Sequence, residues 1–406
     1  MAATLPTPSL IALHDAAATA DRAARQGRRY EYDLISAGAA LLLFLCHFFG
    51  LAGALPETWH EWIALSSFFQ QAGTLAYGVL LFLSGYFIAR SMNSTEFYFV
   101  PFLKRRFAIL LVPYACTLVA GTTVSLLAPG LSKFEEGENP VSFLFRQFLL
   151  IPGLFPESPM LTVAWLLPLI VVGLLALPLW NWPVRDANVW KKAAYWGAST
   201  IGFSLILMLG GWDMQWLVLP AGAASFFLAR AIETKVTGAW IPLGFLLGGL
   251  GLGIYLALSF VWRMDLAPAA LFGLLISALL LIQTGVLCSS ATDIPKLLLP
   301  LRTLGESGYS FYLLHGSITK VMLMILFPGF GYNLSSPVDL VIALLLCLGA
   351  SIVGSQVLYR AVEKPLRENI DGNGERRLSE AERQQVIESL QPRGQARYSR
   401  ADAEYR

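Results

Sequence analysis

Charge is what this chain has little of. Asp, Glu, Lys and Arg together make up 14% of its 406 residues, against about 25% in a soluble domain. That deficit, set beside 56% hydrophobic residues, excludes a water-soluble globular protein and leaves a membrane protein. The net charge of +2 gives no basic footprint, so no nucleic-acid partner is expected. Cysteine is scarce too. Cys46, Cys116, Cys288 and Cys347 lie in or at the ends of apolar runs, and none belongs to a CxxC pair. A disulfide framework and a thiolate metal site are thereby excluded, and no metal centre is expected. The first 30 residues lack the apolar core of a signal peptide. With Arg22, Arg25, Arg28 and Arg29 ahead of the first span they read as a cytoplasmic tail. An organelle transit peptide fits less well, because Asp15 and Asp21 interrupt the basic pattern.

What is abundant is apolar sequence in long runs. Ten stretches are long enough to span a bilayer: 34–54, 73–91, 107–129, 160–181, 193–211, 214–231, 239–261, 267–288, 307–328 and 338–359. They predict an all-α polytopic membrane protein of about ten transmembrane helices, with the lipid bilayer as its constant partner. Loop charge alternates. Basic residues follow the second span (Lys104, Arg105, Arg106), the fourth (Arg185, Lys191, Lys192), the sixth (Arg230, Lys235), the eighth (Lys296, Arg302) and the tenth (Arg360, Lys364, Arg367). The intervening loops are acidic or near neutral, with Glu57 and Glu61, then Glu135, Glu136 and Glu138, then Asp213. The positive-inside rule places both termini in the cytoplasm.

Several local features qualify this layout. Pro168, early in the fourth span, is expected to kink it or to be satisfied by a neighbouring helix. The run QFLLIPGLF from Gln147 to Phe155 is too short to cross and reads as interfacial or re-entrant. The fifth and sixth spans, joined around Gly210 to Asp213, form a hairpin. Residues 369–406 are a charged tail in which Ser379 and Glu382 fit a capping box.

The first span, DLISAGAALLLFLCHFFGLAGA from Asp33 to Ala54, carries His47 deep inside it, with no counter-charge near in sequence. An imidazole at membrane depth is costly and faces a protein interior or a watery cavity. Two roles fit it: a neutral side chain hydrogen-bonded to a neighbouring helix, or a working base. His315 is the second membrane histidine, preceded by Tyr309 and Tyr312, the latter on roughly the same face at i−3. It either orients a ligand or bonds His47, or it is a satisfied contact between helices. Ser84 and Gly85 read as packing residues, since small side chains let helices approach. Trp165 reads as an interfacial or core aromatic, and Glu363 as a partner for a basic residue.

Six motifs in chain order resemble the acyltransferase-3 family, over about residues 30 to 368. The first span resembles the family opening, from Asp33 through Ser36 to Cys46-His47-Phe48. GVLLFLSGYFIARS, Gly78 to Ser91, is similar to the family's second helix, and LKRRFAILLVPY, Leu103 to Tyr114, to its basic start of the third. Trp165-Leu166-Leu167 resembles a tryptophan-led helix, LGESGYSFYLLHG (Leu304 to Gly316) a "LGxxSYxxYLLH" helix, and Tyr359 with Glu363-Lys364-Pro365 the family ending. The resemblance makes 31–368 one membrane domain between two cytoplasmic tails, in the plasma (inner) membrane. It implies an enzyme that moves an acyl group, often acetyl, from cytoplasmic acyl-coenzyme A to a hydroxyl on a carbohydrate, lipid or natural product. Acyl-coenzyme A is then a co-substrate, with no bound cofactor.

The resemblance also assigns roles. A hydroxyl needs a base to become a nucleophile, and His47 stands at the family's histidine. The family pairs that histidine with an arginine eleven residues earlier. Eleven residues turn an α-helix by about 1100°, roughly 20° past three turns, and rise about 16 Å. The two therefore share a face, the arginine low for the coenzyme A phosphates and the histidine deep for the thioester. Here the low position is Ser36. Arg106 matches the first arginine of the family's Arg-x-x-Arg, but Ile109 stands at the second. Ile170 and Val171 occupy the neighbourhood where many members carry a glutamate. Arg105 and Arg106 are then the candidates for the phosphates, alongside Ser36, with positive-inside anchoring as their other role. His315, Tyr312 and Tyr309 are candidates for the acceptor side. The three departures keep a second expectation open: a non-catalytic relative that binds or translocates a lipid or acyl ligand, or supports a partner complex.

Overall fold

The structure, a computed structural model, describes residues 30–51, 60–94, 97–127, 139–150, 161, 166–210, 214–233, 299–326 and 336–370. Ten α-helices are named here: α1 (Tyr30–Leu51), α2 (His60–Met92), α3 (Phe99–Leu127), α4 (Pro140–Phe148), α5 (Leu166–Asn181), α6 (Val189–Gly210), α7 (Val218–Glu233), α8 (Leu299–Glu306), α9 (Gly308–Met324) and α10 (Pro337–Leu358). No strand occurs among the described residues. Helices occupy eight of the ten apolar stretches; 239–261 and 267–288, like Trp165 and both tails apart from Tyr30 and residues 369–370, lie outside the described residues. Among the described residues four spans are long and apolar enough to cross a membrane, built on α1, α3, α5 and α10.

α2 is longer than its apolar stretch. Its 33 residues make about 50 Å at 1.5 Å per residue, against a hydrocarbon thickness of about 30 Å. The added turns, HEWIALSSFFQQA, contain neither proline nor glycine, so nothing interrupts the helix, and Glu61 stands on it. α2 packs on α1, α5 and α7; α1 packs in turn on α8 and α9, and α9 on α10. α6 and α7 pack against each other through the short 3₁₀ turn Met214–Leu217, as a hairpin requires. The α2–α7 contact is backbone to backbone. A Cβ on Gly85 would run into the Leu219 carbonyl, and one on Gly222 into the Phe82 carbonyl. Around this contact sits an aromatic core of Phe82, Tyr86, Trp196, Phe226 and Phe227. The buried Trp196 indole donates to Asn181 Oδ1 at 3.0 Å. A second core, with Phe44, Phe48, Phe311 and Cys347, joins α1, α9 and α10.

The prolines divide by position. Pro168 stands two residues after Leu166, the first described residue of α5. Pro178 in α5 and Pro113 in α3 lie inside their helices. α4 is a short amphipathic helix capped by Asn139, whose Oδ1 accepts from Val141 N at 2.9 Å. It is tied to α3 by the Tyr114 hydroxyl, which donates to the Gln147 carbonyl at 2.7 Å. The QFLLIPGLF run thus begins as the end of α4; its residues 151–155 lie outside the described residues.

After α10 the chain makes one π turn, Tyr359–Glu363, in which Lys364 N–H reaches the Tyr359 carbonyl, before helix resumes through residue 370. Pro365 explains the wide turn. It has no N–H for the carbonyl of Ala361, and its ring would collide with that carbonyl in an α-helix.

Candidate active site

At the end of the bundle where α1 begins, six helices enclose a cavity of about 450 Å³. α1 gives Tyr32, Asp33 and Ser36; α2 gives Ser84, Phe87 and Arg90; α3 gives Arg105, Arg106 and Ile109. α5 adds Ile170, α8 adds Glu306, and α9 adds Gly308, Tyr309 and Tyr312, with Arg367 closing the rim. Two glycines set its floor. A Cβ on Gly305 would strike the Asp33 carbonyl, and one on Gly308 would come within 2.8 Å of Ser36 Oγ. α8 and α9 therefore lie directly on α1 at this depth.

The polar groups are held by identifiable partners. Arg106 donates to Ser91 Oγ at 3.0 Å, and its guanidinium stands 5.7 Å from the centre of the Phe102 ring. Glu306 pairs with Arg302 on its own helix at 3.1 Å. The Tyr309 hydroxyl donates to the Leu110 carbonyl at 2.6 Å, pinning α9 to α3, and the Tyr309 and Tyr312 rings stack. Glu363 is fully buried; it accepts from Ser310 Oγ at 2.5 Å and pairs with Arg367. That pairing matches its reading as partner of a basic residue. Ser84, read as a packing residue, instead faces the cavity and returns its proton to the Leu80 carbonyl at 2.8 Å.

Deeper in the bundle lies a separate histidine pair. His47 and His315 have ring centres 5.2 Å apart. His315 is wholly buried, and its Nδ1–H donates to the Phe311 carbonyl at 2.9 Å while its ring stacks on Phe311. The contact along α9 is thus with Phe311 at i−4, and Tyr312 turns to the cavity. Nε2 of His315 has no hydrogen-bond partner among the described residues. His47 Nε2 lies 2.6 Å from the Tyr77 hydroxyl on α2. With His47 neutral and its proton on Nδ1, the phenol donates to that nitrogen.

Of the seven residues singled out from sequence, Ser36, Arg105, Arg106, Tyr309 and Tyr312 share the cavity, and His47 and His315 share the deeper pair. Ser36 and His47 are on one helix face, about 16 Å apart along α1. Sequence reasoning missed Arg90, Arg367 and Tyr77. The two arginines read as boundary charges, and nothing in an apolar helix distinguishes Tyr77. Of the positions where the family motifs are absent, Ser36, Ile109 and Ile170 line this same cavity and Val171 does not.

A family model described as an acyltransferase domain matches residues 29–360. The chain belongs to the acyltransferase-3 family. No curated protein and no solved structure matches it. As a member of the acyltransferase-3 family with bilayer-length apolar helices, it is an integral membrane protein with a membrane acyltransferase domain.

Proposed function

We propose that the protein is a membrane O-acyltransferase. It takes an acyl group, acetyl in the simplest case, from acyl-coenzyme A and passes it to a hydroxyl of a carbohydrate, lipid or natural product. The observation that carries this is the arginine-rich cavity beneath a histidine on one helix face. Arg90, Arg105, Arg106 and Arg367 line the low end, and His47 stands three turns further along α1. Guanidinium groups suit phosphate, to which they bond bidentately. The polyphosphate end of the donor sits among them, and its thioester points up the bundle. His47 takes the proton of the acceptor hydroxyl; the resulting alkoxide attacks the thioester carbonyl, and coenzyme A leaves as the thiolate. Tyr77 occupies His47 Nε2 at rest, so the acceptor hydroxyl displaces the phenol from that nitrogen. The termini and the cavity lie on the cytoplasmic side of the plasma membrane, where the donor is made. Purified protein incubated with radiolabelled acetyl-coenzyme A tests the proposal: release or transfer of label supports it, and none from folded protein counts against it.

One observation favours a second reading. Ser36 and Ile109 stand where the family carries arginines, Ile170 lies in the neighbourhood where many members carry a glutamate, and the three line a single cavity, as a site adapted to a different ligand would show. A relative that binds or translocates a lipid or acyl ligand without turnover, or that scaffolds a complex, would have this character.

Ser36→Arg separates the two. Gly308 lies against Ser36, so a longer side chain there turns away from α9 and into the cavity. If the donor is coenzyme A, the added guanidinium meets phosphate, and a charge-assisted bond is worth about 1.5–3 kcal/mol, roughly ten- to a hundredfold in affinity. Calorimetric titration of coenzyme A into both proteins in one detergent reads this directly. Absence of binding to either, with both folded, removes coenzyme A as the donor.

Neutralising Arg105 and Arg106 together, each to Gln, is expected to raise the Michaelis constant for the acyl donor more than it lowers turnover. That split marks lost binding shared by ground and transition states. An unchanged constant would return both residues to anchoring at the membrane surface.

A further inference from the structure

On the half of the bundle away from the arginines, α3 and α9 line a second hollow of about 320 Å³, within the range of small-ligand pockets. Its walls are Ala120, Gly121 and Val124 from α3 and Ile318 and Val321 from α9, and one cation, Lys320, stands among them. The hollow lies past Pro113, which interrupts the hydrogen-bond ladder of α3 between its cavity end and this one. The small side chains of Ala120 and Gly121 give it depth.

Lys320 is out of place by ordinary membrane rules. It is twelve residues beyond Gly308, about 18 Å along α9 from the arginine-lined cavity. It is half-buried and makes no ion pair or hydrogen bond among the described residues. A lysine at such depth pairs with an anion or extends its head toward the nearer interface. The surroundings say where that anion comes from. On α3, Val119, Val124 and Leu126 are 56%, 40% and 56% exposed, and Val124 is itself a wall of the hollow. The hollow therefore opens sideways along exposed apolar side chains of α3. An occupant must be apolar along most of its length and anionic at one end.

We propose that this groove binds an anionic phospholipid. One acyl chain lies between α3 and α9, and the phosphate-bearing head pairs with Lys320 in the leaflet opposite the arginine-lined cavity. The site shares no residue with that cavity, although Leu314 and Gly316 on either side of His315 line it, so its test reads lipid retention and not acyl transfer.

The test uses full-length protein in nanodiscs of equal phosphatidylglycerol and phosphatidylcholine, released into detergent and weighed by native mass spectrometry for retained lipid. Wild type is expected to hold phosphatidylglycerol over phosphatidylcholine by roughly tenfold, the size of one charge-assisted contact. Lys320→Gln should bring that ratio to about one, and Lys320→Arg should keep it. Gly121→Leu, which fills the groove, should lower retention of both lipids. Each variant is checked against the wild-type unfolding temperature. A phosphatidylglycerol preference that survives Lys320→Gln overturns the proposal, as does equal retention of the two lipids by wild type, or none.

Discussion

His47→Ala is expected to lower acyl transfer by about 10²–10⁴-fold, the usual contribution of a general base. The fold should survive the change. The histidine is only partly buried, and its side chain bonds to the Tyr77 hydroxyl; losing one such hydrogen bond costs about 0.5–1.5 kcal/mol. Turnover with radiolabelled acetyl-coenzyme A, compared at matched unfolding temperature, separates lost chemistry from lost structure. Tyr77→Phe is the informative companion. It releases His47 Nε2 while keeping the ring, so it should preserve or raise turnover if that nitrogen is the base. Retained activity in His47→Ala would exclude His47 and direct attention to His315, a buried ring whose Nε2 has no hydrogen-bond partner among the described residues.

The second large effect is on stability. Glu363→Ala is expected to destabilise the protein by about 3 kcal/mol, the low end for breaking a buried pair, since Arg367 is 32% exposed and can partly hydrate. The carboxylate holds two elements at once, Ser310 of α9 and Arg367 of the C-terminal helix. Removing it orphans a buried hydroxyl and loosens an arginine that lines the cavity. Glu363→Gln, which can still accept from Ser310, should cost less. Thermal unfolding in detergent followed by tryptophan fluorescence measures both; an unchanged midpoint for the alanine variant would mean the pair contributes nothing.

Much of the helical plan was legible because bilayer crossing demands long apolar runs, and such runs survive as α1, α3 and α10 with small shifts at their ends. The shifts have local causes. α2 begins early because His60 to Ala72 contain no helix breaker. The site was legible in part. Ser36, Arg105, Arg106, Tyr309 and Tyr312 stood out through motif spacing, and they line one cavity. Arg90 and Arg367 did not, because a cation at a helix end carries the same letter whether it anchors at the headgroups or turns inward. Tyr77 was silent for another reason. Its partner is 30 residues away, and only the crossing of α1 and α2 makes them neighbours. The convergence of Ser36, Ile109 and Ile170 required the fold as well, since the three come from three helices.

The π turn at Tyr359–Glu363 has a consequence for how the chain's end is phased. One surplus residue in a helical turn rotates everything after it by about 100°. Without that insertion the helix after α10 would aim a different face at the bundle, and Arg367 would no longer stand at the cavity rim. Pro365 thus acts as an angular setting for Arg367, two residues further on. A single-residue deletion between Tyr359 and Glu363 would undo the setting while leaving composition, length and hydropathy almost unchanged.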